Sequence, residues 1–196
     1  MEARKAIFLD KDGTLIPDIP YNADPEKITL SDEAVDGLYR LQNAGFELYI
    51  VTNQSGIANG YFHHKDLWKV EKKISDLMQY HGLKLSGFYY CPHDPKAKLE
   101  AYKTYCKCQK PKPGMLLDAA SDHNIDLTSS WMIGDILNDV EAGNRAGCKT
   151  ILINNGNETE WKMNWLRTPD LMVKTINEGA RYILDIIKTK VDLETN

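Results

Sequence analysis

Two aspartates, Asp10 and Asp12, stand two residues apart and are followed at once by Gly13 and Thr14. Residues two apart in extended backbone project to the same side, so both carboxylates can face one ligand. Gly13 lets the chain turn sharply just beyond them. Paired acids suit a hard cation such as Mg²⁺, and they allow one carboxylate to attack while the other moves a proton. The plainer alternative is an Asx-type turn leaving a strand. A second group is Cys91-x-His93 and, twelve residues on, Cys106-x-Cys108. Three thiolates and an imidazole make the closed donor set of a structural Zn²⁺ site. The spacing is not that of a DNA-binding finger, and no basic recognition helix follows. A third stretch, Thr52-Asn53-Gln54-Ser55-Gly56, offers a hydroxyl and several backbone N–H groups able to bind phosphate oxygens; taken alone, it reads equally well as a polar turn.

The elements that must position these residues follow from apolar runs and punctuation. Ala6 to Leu9 and Phe46 to Val51 read as buried strands, with shorter ones at Phe88 to Tyr90, Trp131 to Ile133, Lys149 to Ile153 and Leu171 to Val173. Helical stripes fall between them. Ala34, Leu38 and Leu41 form one, after a cap at Ser31 or Asp32 and before Gly45. Leu67, Val70, Ile74, Leu77 and Met78 form another, within Asp66 to His81. Others run from Pro113 to about Asn124, from about Asp139 to Ala146 and from about Glu178 to Lys188. Ile16 to Leu30, rich in Pro, Asp and Asn, reads as a loop long enough to act on a substrate. Trp161 and Trp165 are expected to pack into the core. This alternation predicts an α/β fold: a mostly parallel sheet flanked by helices. Asp10, Thr52 and Asp135 would then sit just past strand C-terminal ends, where ligands bind in such sheets.

The 196 residues fit one domain, 1–196, with a zinc-loop insertion at about 91–108. With 27% charged and 42% hydrophobic residues, the chain is an ordinary soluble globule. A net charge of −4 argues against a nucleic-acid partner. No apolar run is long enough to span a bilayer, and Met1 to Lys5 carries no signal-peptide core. The expected setting is cytoplasmic and reducing, where the four cysteines serve as thiols or metal ligands and Cys148 as a core thiol. The expected state is a monomer.

The octet Phe8 to Leu15 resembles the first motif of the haloacid dehalogenase (HAD) superfamily, whose first Asp becomes phosphorylated. An acid at the position of Asp12 matches its phosphatases. Thr52 resembles the second-motif residue that holds a phosphoryl oxygen, Lys110 the third-motif lysine, and Gly134-Asp135-x-x-x-Asp139 the fourth motif. The string Val51 to Ala58, with the Cys-x-His and Cys-x-Cys pairs, is similar to the histidinol-phosphatase-like branch, which includes heptose bisphosphate phosphatases. The resemblance implies a Rossmann-like HAD fold without a large cap domain, and a Mg²⁺-dependent phosphomonoesterase acting on a small phosphorylated metabolite. Asp10 would be the nucleophile and Asp12 the acid and base, with Thr52 and Lys110 on the phosphoryl oxygens. Mg²⁺ would sit on Asp10, Asp135 and the Asp12 carbonyl, with Asp139 behind, fixing Lys110 or a water. The structural Zn²⁺ would fold the loop that delivers Lys110. Substrate contacts would come from Asp18, Tyr21, Asn53, Gln54, Ser55 and Gln109.

Branch members acting on heptose bisphosphate carry basic residues at three positions held here by Asn59, Gln109 and Ile136. The substrate implied first is D-glycero-D-manno-heptose 1,7-bisphosphate; histidinol phosphate or another sugar phosphate is the alternative. Lys112 is either a surface residue or a substrate contact. A catalytically idle binding protein of the same fold is the non-enzymatic alternative, and the intact Asp10, Asp12, Thr52, Lys110 and Asp135 argue against it.

Overall fold

Residues 3–194 are described in a computed structural model of the chain; Met1 and Glu2, part of the stretch expected to lack a signal-peptide core, lie outside them. The chain alternates β1 (Lys5–Leu9), α1 (Asp32–Asn43), β2 (Phe46–Asn53), α2 (Ser55–Ala58), α3 (His64–Tyr80), β3 (Leu85–Cys91), α4 (Gly114–His123), β4 (Trp131–Gly134), α5 (Leu137–Ala146), β5 (Lys149–Ile153), β6 (Leu171–Val173) and α6 (Ile176–Glu194). The six strands form one wholly parallel sheet in the order β3-β2-β1-β4-β5-β6.

Period-two alternation sorts the strand residues between two cores. Ile7, Leu9, Leu48, Ile50, Ile133 and Ile151 face the stripes of α1, α3 and α6. Ala6, Phe8, Tyr49, Val51 and Met132 face Met115, Leu116 and Ala119 of α4 and Ala142 of α5. Parallel strands joined by crossover helices must be covered on both faces, which explains their near-continuous apolar runs. Phe8 and Tyr49 are fully buried, each contributing about 1.5–3 kcal/mol by area.

β1 pairs with β2 on one side and β4 on the other, so the strand order reverses there. A crevice opens at such a reversal, beyond the strands' C-terminal ends. Asp10 follows β1 and Asp135 follows β4. Thr52 differs from expectation: β2 runs on through Asn53, so Thr52 lies on the strand rather than past it. A further short helix, α2, follows directly. Ser31 occupies the N-cap of α1 without a side-chain capping bond, and the Asp32 side chain lies outside the description. The 16–30 loop has structure of its own: a 3₁₀ turn at Pro25–Lys27, capped by Asp24, and Ile16 and Ile28 buried in the core.

Trp161 and Trp165 are not core residues. They are 46% and 82% exposed, on the loop between β5 and β6. That loop is held instead by polar contacts, including the Arg167 guanidinium on Glu141 and Asn138. Among the described residues no helix is long and apolar enough to cross a membrane.

Candidate active site

Asp10 is fixed where it leaves the sheet: its N–H donates to the Ile133 carbonyl of β4 at 2.9 Å. The chain then folds back sharply, with Gly13 at φ +81° donating to the Ile16 carbonyl. A Cβ at Gly13 would run into the Asp135 carboxylate and the Asn157 amide. Only glycine meets both demands. Gly13→Ala is therefore expected to cost about 1–3 kcal/mol and to displace Asp135. Thermal unfolding and phosphate release would both fall; unchanged values would show that the turn has room.

Lys110 lies at the centre of the buried acids. Its Nζ is 2.5 Å from Asp10 Oδ1, 2.6 Å from Asp139 Oδ1 and 2.8 Å from the Val51 carbonyl. The Lys110 side chain is 2% exposed and that of Asp139 fully enclosed. Burial alone would depress the lysine, but the charges of Asp10 and Asp139 outweigh it and hold Lys110 protonated, above its ordinary range. The other Asp139 oxygen accepts the Ile136 N–H at the start of α5. Asp139 thus both orients the lysine and favours its own helix N-terminus. Lys110 is placed in turn by Asn53, whose side-chain amide donates to the Lys110 carbonyl and whose side-chain oxygen accepts the Lys110 N–H, at 3.0 and 2.9 Å.

Asp135 sits across from Asp10. Thr14 Oγ1 donates to one of its oxygens at 3.2 Å and Asn157 Nδ2 to the other at 2.6 Å. Burial, and then the Asp10 charge, raise its pKa to about 6. Asp10, Asp135 and Asp139 can bring carboxylate oxygens within 4.8 Å of one another, and a divalent cation between Asp10 and Asp135 would relieve that repulsion. The residues fit Mg²⁺. A carboxylate whose folded pKa lies above its unfolded one destabilises the fold as pH rises through that interval. Stability of the metal-free protein should therefore fall between about pH 4 and 6. Added Mg²⁺ is expected to raise Tm more at pH 7.5 than at pH 5; an equal rise at both would remove the two acids as the binding site.

Asp12 is held apart from this group. Its Oδ1 accepts from Lys11 Nζ at 2.7 Å and its Oδ2 from Gln54 Nε2 at 3.0 Å. Burial, opposed by Lys11 and reinforced by Asp10, leaves its pKa above the ordinary aspartate value. That balance suits a carboxyl that must first donate a proton. Gln54 also donates to Thr52 Oγ1 at 2.9 Å, leaving the threonine hydroxyl proton free for a ligand.

Two adjoining clefts, of about 220 and 280 Å³, share Asp12, Asp18 and Asn53. The inner is also lined by Asp10, Thr52, Lys110 and Asp135, the outer by Tyr21, Gln54 and Ser55. Five of the six expected substrate contacts therefore line the clefts. Gln109 lines neither; its N–H donates to Cys106 Sγ at 3.3 Å. Lys112 is a surface residue, bonded to the Cys106 carbonyl at 2.7 Å.

Cys91, His93, Cys106 and Cys108 bring one donor atom each within 4.8 Å of the others. Burial, with hydrogen bonding from Cys108, pushes the Cys91 thiol well above its usual range, so thiolates gathered here require a cation to offset them. The donor set fits Zn²⁺. Purified protein is expected to carry about one zinc per chain, and stripping it with a chelator should loosen the loop and lower activity. Metal-free protein of full stability would refute the site.

Lys11, Thr14, Asn155 and Asn157 were not singled out from the sequence. Lys11 is fully buried with Asp12 as its ion-pair partner, and Asn155 Nδ2 donates to the Gly13 carbonyl at 2.7 Å. The available signal was the polar string Asn154-Asn155-Gly156-Asn157 just beyond the strand next to β4.

Residues 107–179 match the HAD-hydrolase-like family model. The chain is 42% identical over 184 residues to the D-glycero-β-D-manno-heptose-1,7-bisphosphate 7-phosphatase of Haemophilus influenzae, covering 93% of this chain and 92% of that one. The chain belongs to the HAD-like hydrolases. It is 41% identical to the corresponding Photorhabdus laumondii enzyme, over 77% of this chain and 81% of that one. Among solved structures, D,D-heptose 1,7-bisphosphate phosphatase from B. bronchiseptica, complexed with magnesium and phosphate, superposes with a TM-score of 0.74 at 27% identity, covering 92% of this chain and 98% of that one. This HAD-like chain is thus a hydrolase of the phosphatase kind, with an α/β sheet of the expected class.

Proposed function

We propose that the chain hydrolyses the 7-phosphate of D-glycero-D-manno-heptose 1,7-bisphosphate, as one domain and as a monomer. The observation that carries this reading is the separation of two carboxylates: Asp10 braced by Lys110 opposite Asp135, and Asp12 held a short way off by Lys11 and Gln54. An Asp10 oxygen attacks phosphorus in line while the bond to the sugar oxygen breaks and the Asp12 proton passes to that oxygen. The product is an aspartyl-phosphate on Asp10. Asp12, now a carboxylate, takes a proton from the water that attacks this phosphate, restoring both acids and releasing inorganic phosphate. Lys110 and the Thr52 hydroxyl hold the equatorial oxygens. Asp10, Asp135 and the Asp12 carbonyl would hold Mg²⁺, which would supply charge neutralisation.

The activity for which the relatives are named supports the sugar, and the net charge of −4 supports a small metabolite over nucleic acid. We place the protein in the cytoplasm, away from membranes. The test is phosphate release, with Mg²⁺, from heptose 1,7-bisphosphate and histidinol phosphate side by side. Preference for the heptose is expected. Turnover of an aryl phosphate with neither metabolite accepted would keep the chemistry and overturn the substrate.

A further inference from the structure

Lys110, which lines the inner cleft, and Lys11, buried behind Asp12, are both committed. Lys110 is engaged by Asp10, Asp139 and a carbonyl, and Lys11 by Asp12. Asp18 adds negative charge at the mouth, and Ile136 beside it adds none. A substrate with a second phosphate must find its cation elsewhere.

One is present at the rim. Tyr21, which lines the outer cleft, is held at φ +54°, a conformation that a bulky residue rarely adopts. Its ring packs on that of Tyr61, centroids 4.5 Å apart and planes tilted by 49°. Lys98 Nζ lies over the Tyr61 ring, 5.0 Å from its centroid, and donates to its hydroxyl at 3.3 Å. Both are exposed, but neither stands on a free loop tip. The Tyr61 N–H donates to the Gly56 carbonyl at 2.9 Å, and the Leu99 N–H to the Ala58 carbonyl at 3.0 Å, while Ala97 is buried. Among the described residues no carboxylate pairs with Lys98. Three separate segments thus bring together two aromatic rings and one unneutralised ammonium beside the cleft that receives the sugar.

We propose that Lys98, held by Tyr61, which itself packs on Tyr21, is the subsite for a second phosphate group on the substrate. This rests on the reading of the inner cleft as the site of phosphate cleavage. The ammonium binds the distal phosphate of a sugar bisphosphate whose reacting phosphate lies at Asp10; Tyr61 sets its position and Tyr21 steadies Tyr61. A cation already held by neutral partners gives up little side-chain freedom on binding.

The test is calorimetric binding to the Asp10→Asn protein with Mg²⁺, in which ligands are not consumed. Heptose 1,7-bisphosphate is compared with heptose 7-phosphate, with and without Lys98→Ala. Lys98→Ala is expected to weaken the bisphosphate about tenfold, between the values for an exposed ion pair and a desolvated charge-assisted bond. It should change the monophosphate by no more than about twofold, and Lys98→Arg should keep most of the difference. Equal affinity of the two ligands before substitution, or equal weakening of both after it, overturns the subsite even if turnover stands. A Lys98-dependent preference without turnover of the heptose by native protein keeps the subsite and overturns the assigned reaction. Binding of neither overturns both.

Discussion

Asp10→Asn should lower turnover by on the order of 10⁴-fold or more and leave the chain folded. An amide has nearly the size and shape of the carboxylate, so the β1 exit, its bond to the Ile133 carbonyl and the Gly13 turn are undisturbed. The amide oxygen can still accept from Lys110 Nζ, and Asp139 continues to pair with that ammonium. What disappears is the anionic oxygen that forms the bond to phosphorus. Circular dichroism and the unfolding midpoint should stay close to those of the native protein while phosphate release vanishes. Residual activity within tenfold of native would mean that another group attacks, and Asp10 would lose its role as nucleophile.

Lys110→Met should harm both stability and catalysis. Removing one partner from a buried charge cluster costs about 3–5 kcal/mol, because the other charges remain buried and uncompensated. Asp10, Asp135 and Asp139 would then share a pocket without the ammonium. The loss should depend on pH in a defined direction. Even with Lys110 present, burial raises the Asp139 pKa to about 7, Lys110 pulling it down and Asp10 and Asp135 pushing it up. Without the lysine it rises further, so the folded variant binds more protons than its unfolded chain. Its stability then increases as pH falls through the folded pKa. The deficit against native protein should be greatest above about pH 7 and shrink toward pH 5 in denaturant titrations. Loss of the cation facing the phosphoryl oxygens should also lower kcat by about 10²–10³-fold. A deficit independent of pH would show that the lysine contributes packing rather than charge.

Much of this arrangement is legible in the chain itself. The apolar runs at Ala6, Phe46, Trp131 and Lys149 announce parallel strands, and acids following two of them announce the crevice. The Cys-x-His and Cys-x-Cys pairs announce a common donor centre because thiol and imidazole are scarce and their spacing is short. Other features depend on what meets across the fold. Lys11 looks like a solvated residue until the turn at Gly13 buries it on Asp12. Asn157 acquires its place only because β5 lies beside β4. Trp161 and Trp165 lack the period that would assign them a face, and residue type alone misplaced them. Gln109 sits next to the central lysine in sequence, yet its backbone is tied to the thiolate loop and it lines neither cleft.

The two-way link between Asn53 and Lys110 joins positions 57 residues apart, and the lysine's partner Asp10 is 100 residues away. Contacts this distant in sequence pay their closure entropy before they return any stabilisation. The β1–β4 pairing, Ile7 beside Trp131, spans more chain still, but it lies within the sheet, whereas Lys110 rides on a loop outside it. The sheet and its helices can be in place while the reactive cluster is still open, its acids in water and its cation on an undocked loop. A newly made chain would pass through a stage with native-like secondary structure and no catalytic competence. Recovery of activity should then trail recovery of the far-ultraviolet signal during refolding, by an interval that depends on how soon zinc closes the loop.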